Sequence, residues 1–267
     1  MIGTQKQNRS LHQLLPWMLP AACVLAWISV SEFRLLPPYL LPHPSTILDS
    51  GYAYIFGGPE AGMYAGRFAT DAKASLIRVG VGFAVAAALG IPLGVLSGRI
   101  PMVDRMLSTS INGLRAVPGI SWLPLALVWF GIGLKTTVFL VALAAFFPIY
   151  INSASGVGQV SPVLLQAGAM MGVRRLRGTF AILLPSAMPA LISGLRLGLG
   201  ISWAYLVLGE LTGVQNGLGA VIMDARMVGR IDVIIVGIII IAVIGRTSDQ
   251  LLTAFLRLCF KSARRSS

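Results

Sequence analysis

The chain has 267 residues, of which 56% are hydrophobic and only 11% charged, with 21 Lys and Arg against 9 Asp and Glu. A soluble domain carries roughly 25% charged residues, so this deficit, with a mean hydropathy of +0.81, excludes an ordinary soluble fold and points to a surface that faces lipid. The net charge of +12 would suggest nucleic acid in a soluble protein, but no soluble basic domain is present to bind it, and basic cytoplasmic loops account for the excess.

Taken in order, the chain opens with a polar and basic stretch, 1–13, holding Lys6 and Arg9. An apolar run over 14–31 reads as a first membrane span rather than a signal peptide, since no small-residue cleavage site leads into a soluble mature domain. Pro37, Pro38, Pro42 and Pro44 then impose an extended loop. Residues 45–74 are the most soluble-looking part. A second span is expected over 76–98, with Gly90, Gly94 and Gly98 at spacing four, a stripe that lets helices approach closely. After the turn SGRIPMVDR comes a third span, 106–132, interrupted by Pro118 and Pro124. The tight turn GIGLK leads to a fourth, 136–156. A polar and basic interruption occupies 157–189, and spans five and six follow at 190–211 and 231–254, separated by a glycine-rich polar loop, 212–230. The tail 255–267 is basic. The expected fold is all-α, a single polytopic domain of six transmembrane helices.

Six spans place both termini on one side. With the N-terminus inside, the inner segments hold 11 of the 21 Lys and Arg in short stretches, and the outer segments, with Arg78 at the edge of the second span counted among them, hold 7 spread over longer ones. The positive-inside rule therefore places both ends, and the 157–189 interruption, in the cytoplasm.

Within that interruption Ser161 is a good N-cap and Pro162 suits the first helical position. Val163, Leu164, Ala167, Met170 and Met171 share one face of a short helix. Gly172 can take the left-handed conformation that ends it. Val173, Leu176, Phe180 and Leu184 continue a helical spacing beside Arg174, Arg175 and Arg177, and Pro185 and Pro189 are expected to turn the chain back to the membrane. On physical grounds this hairpin either rests on lipid headgroups or docks a partner.

The same stretch resembles the EAA loop of ABC-importer permeases, whose pattern is Glu-Ala-Ala, three residues, Gly, nine residues, Ile, one residue, Leu-Pro. Gln166-Ala167-Gly168, Gly172, Ile182 and Leu184-Pro185 keep that spacing throughout. Gln166 stands where the family has an acid and Gly168 where it has an alanine, so the charge-assisted part of one contact is lost. LPHPSTIL, SLIRVGVGFAVAAALGIPLGVLSG, LRAVPGISWLPLALVWFGIG, FFPIYINS and GLRLGLGISWAYLVLGELTG are similar to the nitrate/sulfonate/taurine branch of these permeases, over about residues 20–256. The resemblance implies a type I ABC-importer permease fold in a bacterial inner membrane. It also implies a second permease chain forming a homodimer, cytoplasmic ATP-binding subunits docking on Val163, Leu164, Gln166, Ala167, Gly172, Ile182, Leu184 and Pro185, and an extracytoplasmic binding protein delivering a small anion. Aliphatic sulfonate, taurine or nitrate come first as cargo, with a cofactor precursor as the alternative.

The chain has no phosphate-binding loop of its own. At its Lys135-Thr136 pair, Leu134 and Trp129 stand where G-x-x-x-x-G-K-[ST] needs glycines, so ATP is a partner's business. No catalytic residues, metal ligands or cofactor are expected: Cys23 and Cys259 make no disulfide framework, and His12 and His43 make no metal-ligand spacing. An intramembrane serine hydrolase would need a histidine base, and the spans after the first have none. An ion-gradient-driven carrier would need a membrane-buried carboxylate, for which Glu210 and Asp249 are the candidates.

Arg115 to Trp122 and Arg196 to Trp203 share the pattern R-x-x-x-G-I-S-W. Seven residues is about two helical turns, so each Arg and Trp would share a helix face. These four residues and Glu210 are the candidates for the translocation path. The alternative is that the arginines snorkel to headgroups, the tryptophans only pack and Arg246 pairs with Asp249 three residues on.

Overall fold

A computed structural model describes residues 4–33, 35–37 and 39–259, and every regular element among them is helical. In chain order these are α1 (Thr4–Glu32), α2 (Pro44–Phe56), α3 (Phe68–Arg99), α4 (Pro101–Ala116), α5 (Leu123–Phe130), α6 (Leu134–Gly158), α7 (Pro162–Met170), α8 (Arg175–Gly178), α9 (Leu184–Glu210), α10 (Leu218–Val228) and α11 (Ile231–Cys259). Short 3₁₀ turns cover Pro59–Ala61 and Gly119–Trp122, and a π turn covers Thr179–Leu183. Helix is what lipid demands, since it satisfies its backbone hydrogen bonds within one segment.

Among the described residues, four helices are long and apolar enough to cross a membrane: Phe68–Arg99, Leu134–Gly158, Thr179–Glu210 and Ile231–Leu258. The bent pair of α4 with Gly119–Phe130 makes a fifth if it counts as one span. The apolar part of α1, Met18–Glu32, is shorter than these. The expected basic tail lies outside the described residues from position 260 on, as do residues 1–3 and Arg34.

Three expectations need correction. The stretch 106–132 is not one straight helix: its two helices meet at a bend of 89°. Pro118 has no N–H to give and disfavours helix at Val117, which is extended at ψ 121. Pro185 does not turn the chain back. It sits in the first turn of α9, and the π turn before it, with the Leu184 N–H donating to the Thr179 carbonyl, widens the backbone where the proline ring would collide. The 212–230 loop contains a helix, α10.

The chain forms two compact units, one made of the residues up to Arg67 with Asp224–Val236, the other of Phe68–Met223 with the residues from Gly237 on. In the larger unit α6 is the central helix. Glycines on α3 let it lie against α6: a Cβ added at Gly94 would fall 2.6 Å from Ser153 Cβ and from the Tyr150 carbonyl oxygen, and one at Gly82 2.6 Å from Val141. Gly90 and Gly98 meet α6 in the same way. From the other side α9 presents Gly194 to Asn152 and Gly198 to Ile149. The small-residue stripe thus packs helices within one chain, where dispersion rather than the hydrophobic effect holds membrane helices together. Val79, Val141, Leu199, Trp203, Leu206 and Leu218 belong to a buried apolar cluster around it.

A buried polar knot closes one end of this unit. Glu210, fully buried at the end of α9, accepts from Arg78 Nη1 at 2.5 Å and from Ser75 Oγ at 2.8 Å. Its other oxygen accepts the Gly219 N–H at 2.8 Å. Ser75 Oγ takes the Leu218 N–H at 2.9 Å, and Asp71 Oδ1 the Gly217 N–H at 3.0 Å. Arg78 also donates to the Asn216 carbonyl at 2.6 Å. The first amides of α10, orphans of any helix start, are therefore capped by residues from α3 and α9. Gly217 is required here: its φ is +145, and a Cβ would fall 2.5 Å from Glu210 Oε1.

In the smaller unit α2 packs by Ile47 and Tyr54, and Asp232 is held by Arg230 at 2.6 Å and by Ser50 at 2.5 Å. Burial, ahead of the charge of Asp224, raises the pKa of the Tyr64 hydroxyl above the ordinary tyrosine value, so it stays protonated.

Glu210→Gln leaves Arg78 buried without its counter-charge. Denaturation of the purified protein in detergent is expected to show a loss of about 3 kcal/mol or more. Arg78→Met combined with Glu210→Gln should recover part of that loss, because the uncompensated charge is then gone.

Candidate functional site

A cavity of about 520 Å³ lies in the larger unit. Its walls come from the break between α4 and α5 (Arg115, Val117, Pro118, Gly119, Trp122), from α6 (Leu143, Ala144, Phe147, Pro148, Ile151, Asn152) and from α9 (Ile201, Tyr205). The bend at Pro118 opens it. A straight helix would carry Arg115 and Trp122 along one face, whereas the bend folds both around the same space. Arg115 is exposed, and it is the one charged side chain among the lining residues. In low dielectric an uncompensated guanidinium favours an anionic occupant.

Two backbone devices shape the wall. Pro148 lies inside α6 and has no N–H to offer the Ala144 carbonyl four residues back, so a backbone acceptor is freed beside the cavity. Asn152 returns its amide to the Pro148 carbonyl at 2.8 Å, which fixes that side chain against the same wall. Opposite, Gly119 lies directly on the Tyr205 hydroxyl and ring, so closely that any Cβ would collide with them. This contact joins the broken helix to α9 across the cavity.

The second copy of R-x-x-x-G-I-S-W has a different fate. Arg196 and Trp203 both stand on the continuous α9 and both face α11. Arg196 holds Asp249 in a two-point pair, Nε to Oδ1 and Nη2 to Oδ2, each at 2.9 Å. Arg246, the partner expected from spacing, is at 3.5 Å from the same carboxylate. Trp203 is buried and donates to Ser248 Oγ at 2.9 Å. So the structure brings Arg115 and Trp122 together at the cavity, ties Arg196 and Trp203 to α11, and seals Glu210 in the polar knot. The repeat is one of letters, because proline breaks one copy and not the other. Tyr205, Phe147 and Asn152 at the wall escaped sequence reasoning; the visible signal was the proline inside FFPIYINS.

The 157–189 interruption forms a knob on the same unit. Helix α7 ends at Gly172, whose φ is +80. The Gly172 N–H bonds to the Ala169 carbonyl at 3.0 Å and the Val173 N–H to the Gly168 carbonyl at 3.0 Å, the paired closure of a glycine-terminated helix. Gly168 is buried under Ile182, whose Cδ1 fills the space a Cβ would take. Val163, Leu164, Met170, Met171 and Phe180 are exposed at 69%, 48%, 90%, 77% and 71%. Gln166, Ala167 and Pro185 are exposed too, and Leu184 is half-buried. Exposed apolar side chains in this density suit contact with a partner protein or with the membrane interface.

The family model for the binding-protein-dependent transport system inner membrane component matches residues 90–258. The putative aliphatic sulfonates transport permease protein SsuC of Bacillus subtilis is 33% identical over 233 residues, spanning 87% of this chain and 82% of that protein. The taurine transport system permease protein TauC of Escherichia coli is 34% identical over 251 residues, spanning 89% and 90%. The nitrate import permease protein NrtB of Synechocystis is 33% identical over 222 residues, spanning 81% and 78%. Among solved structures, a chain of the MetNI methionine ABC transporter in inward-facing conformations superposes with a TM-score of 0.57 at 22% identity, over 70% of this chain and 95% of that one; this likeness concerns the fold.

Gly119→Ala should lower transport several-fold at normal expression, because the added methyl group must push the Tyr205 ring off its place on the cavity wall. Adding Tyr205→Leu in the same chain should restore part of the uptake, as measured in cells or vesicles.

Proposed function

The chain belongs to the family of binding-protein-dependent transport system inner membrane components, and on that premise we propose that it forms the path for a small anion in an ATP-driven importer, with an aliphatic sulfonate first and taurine or nitrate next. It is an ABC-transporter permease subunit; the choice of cargo is our reading. The observation that carries it is Arg115, the lone charged side chain on a cavity wall that holds no carboxylate among its lining residues. The sulfonate, taurine and nitrate permeases that it resembles support the same choice.

Cytoplasmic ATP-binding subunits dock on the 157–189 knob in this reading. Gln166 carries no charge, so docking rests on shape and on apolar contact from Val163, Leu164, Ala167 and Met170, with Gly172, Ile182, Leu184 and Pro185 holding the knob's form. The π turn and α9 run on as one helix, Thr179–Glu210, so in this reading motion at the knob is transmitted as movement of a rod. ATP favours one state of the paired permeases and hydrolysis the other, and each acts only through its differential affinity for the two. Two copies of the chain, both termini inside, receive cargo from an extracytoplasmic binding protein. A gradient-driven carrier is disfavoured because both candidate carboxylates are already engaged, Glu210 by Arg78 and Asp249 by Arg196.

Reconstitution with the ATP-binding subunits and binding protein in lipid vesicles tests the reading. ATP-dependent uptake of a sulfonate, taurine or nitrate is expected, and Arg115→Gln should lower it by about tenfold or more with the protein still folded. Uptake driven by an ion gradient without ATP would overturn it. Gly172→Pro should uncouple ATP hydrolysis from uptake, since proline fixes φ near −65° and lacks the N–H that closes α7; Gln166→Glu should leave coupling intact.

A further inference from the structure

Helix α4 is two-faced in a way that a lipid-facing helix is not. Asp104, Ser108, Asn112 and Arg115 recur at spacings of four, four and three, which sets them in one row, with Arg105 beside it. The inward side is apolar: Val103 and Leu107 are half-buried and Ile111 is buried. Met102 and Met106, exposed at 72% and 67%, lie on the flank away from the polar row. The exposed surface of α4 therefore carries this charged and amide row on one side, and Met102 and Met106 with the hydroxyls of Thr109 and Ser110 on the other.

The polar half has few partners of its own. Asp104 accepts from Ser97 Oγ at 2.7 Å. Arg105, Asn112 and Arg115 are exposed, and among the described residues no hydrogen bond or ion pair engages their side chains. Such groups on a membrane helix do not face hydrocarbon; they face water or a polar partner. The row climbs about 16 Å along the helix axis from Asp104 to Arg115, and Arg115 is also part of the cavity wall. One end of the row thus opens into the site already described, and the other reaches the start of α4.

We infer that this row of α4 lines a water-filled passage joining the cavity to the membrane surface at which α4 begins. The inference rests on the reading of the cavity as an anion path and adds its continuation. Ser108 and Asn112 offer uncharged hydrogen bonds between two arginines, Arg105 and Arg115, so an anion passes between cationic stations without meeting a tight trap. Conduction needs binding that is weak and repeated rather than strong and single.

Thiol accessibility tests it on the full chain in membrane vesicles. Cys23 and Cys259, the chain's 2 cysteines, are replaced by alanine, and single cysteines are placed by Ser108→Cys, Asn112→Cys, Met102→Cys and Met106→Cys. The first pair should react with a negatively charged, membrane-impermeant methanethiosulfonate about tenfold faster than the second, since thiolate forms in water and not in hydrocarbon. Adding Arg115→Gln to Asn112→Cys should slow the anionic reagent several-fold and not the cationic one, a loss of local field. Methionine positions that react as fast as the polar ones would overturn the inference. So would silence at 108 and 112 with disulfide cross-linking of those cysteines between two copies, which would make the row a subunit contact. The readout is water access and not uptake, so it stands or falls separately from the choice of cargo.

Discussion

Glu210 is one carboxylate doing the work of a loop cap, an ion-pair partner and a helix staple. It binds Arg78 and Ser75 of α3 and the Gly219 amide at the start of α10, and it is fully buried. The residues concerned lie 132, 135 and 9 positions away in the chain. A buried backbone amide left unsatisfied costs several kcal/mol, so a turn of irregular backbone packed inside the protein survives only if other helices bring acceptors to it. Asp71, Ser75 and Glu210 do this for three successive amides. Arg78 offsets the negative charge thereby buried, which would otherwise be too costly to keep.

That knot holds α3 and α9 at one end, and glycine contacts hold both to α6 along their length. The consequence appears where packing stops. At Pro118 the chain leaves the helical line, turns by 89°, and lets Gly119 rest on Tyr205. Space is left between the broken helix, Pro148 on α6 and Tyr205 on α9. Prolines thus create the cavity twice over: one bends the backbone away, and one frees a carbonyl at the wall. Arg115, carried to this place by the last turn of α4, gives the space its sign.

The knob and the cavity share α9. The π turn at Thr179–Leu183 lets Pro185 ride inside a helix that runs to Glu210. One continuous helix thus links the end of the knob to Ile201 and Tyr205 at the cavity and to Glu210 in the knot. Gly168 and Ile182 pack as a pair where the family pattern has a larger residue, so the space left by the missing methyl group is filled from the side chain opposite.

Much of this was written in local patterns. Apolar runs, Pro162, Gly172 and the spacing from Gln166 to Pro185 are readable because helices, caps and stops depend on near neighbours in the chain. The glycine stripe on α3 was equally legible as a packing surface, though not which helix it meets. Other features depended on distant residues. Helix α10 was invisible because its amides are capped from α3 and α9 and not by a residue beside it. The R-x-x-x-G-I-S-W repeat looked like two equal sites. Only the fold separated them, since a proline bend took Arg115 and Trp122 to open space and an intact helix took Arg196 to Asp249. By itself the sequence determined a helical membrane chain with a polar, glycine-closed knob between its apolar runs, because hydrophobicity and turn chemistry are local. The tertiary structure decided which charged side chains are paired and which is left facing the cavity, because the partner of a charge is set by what folding brings near it.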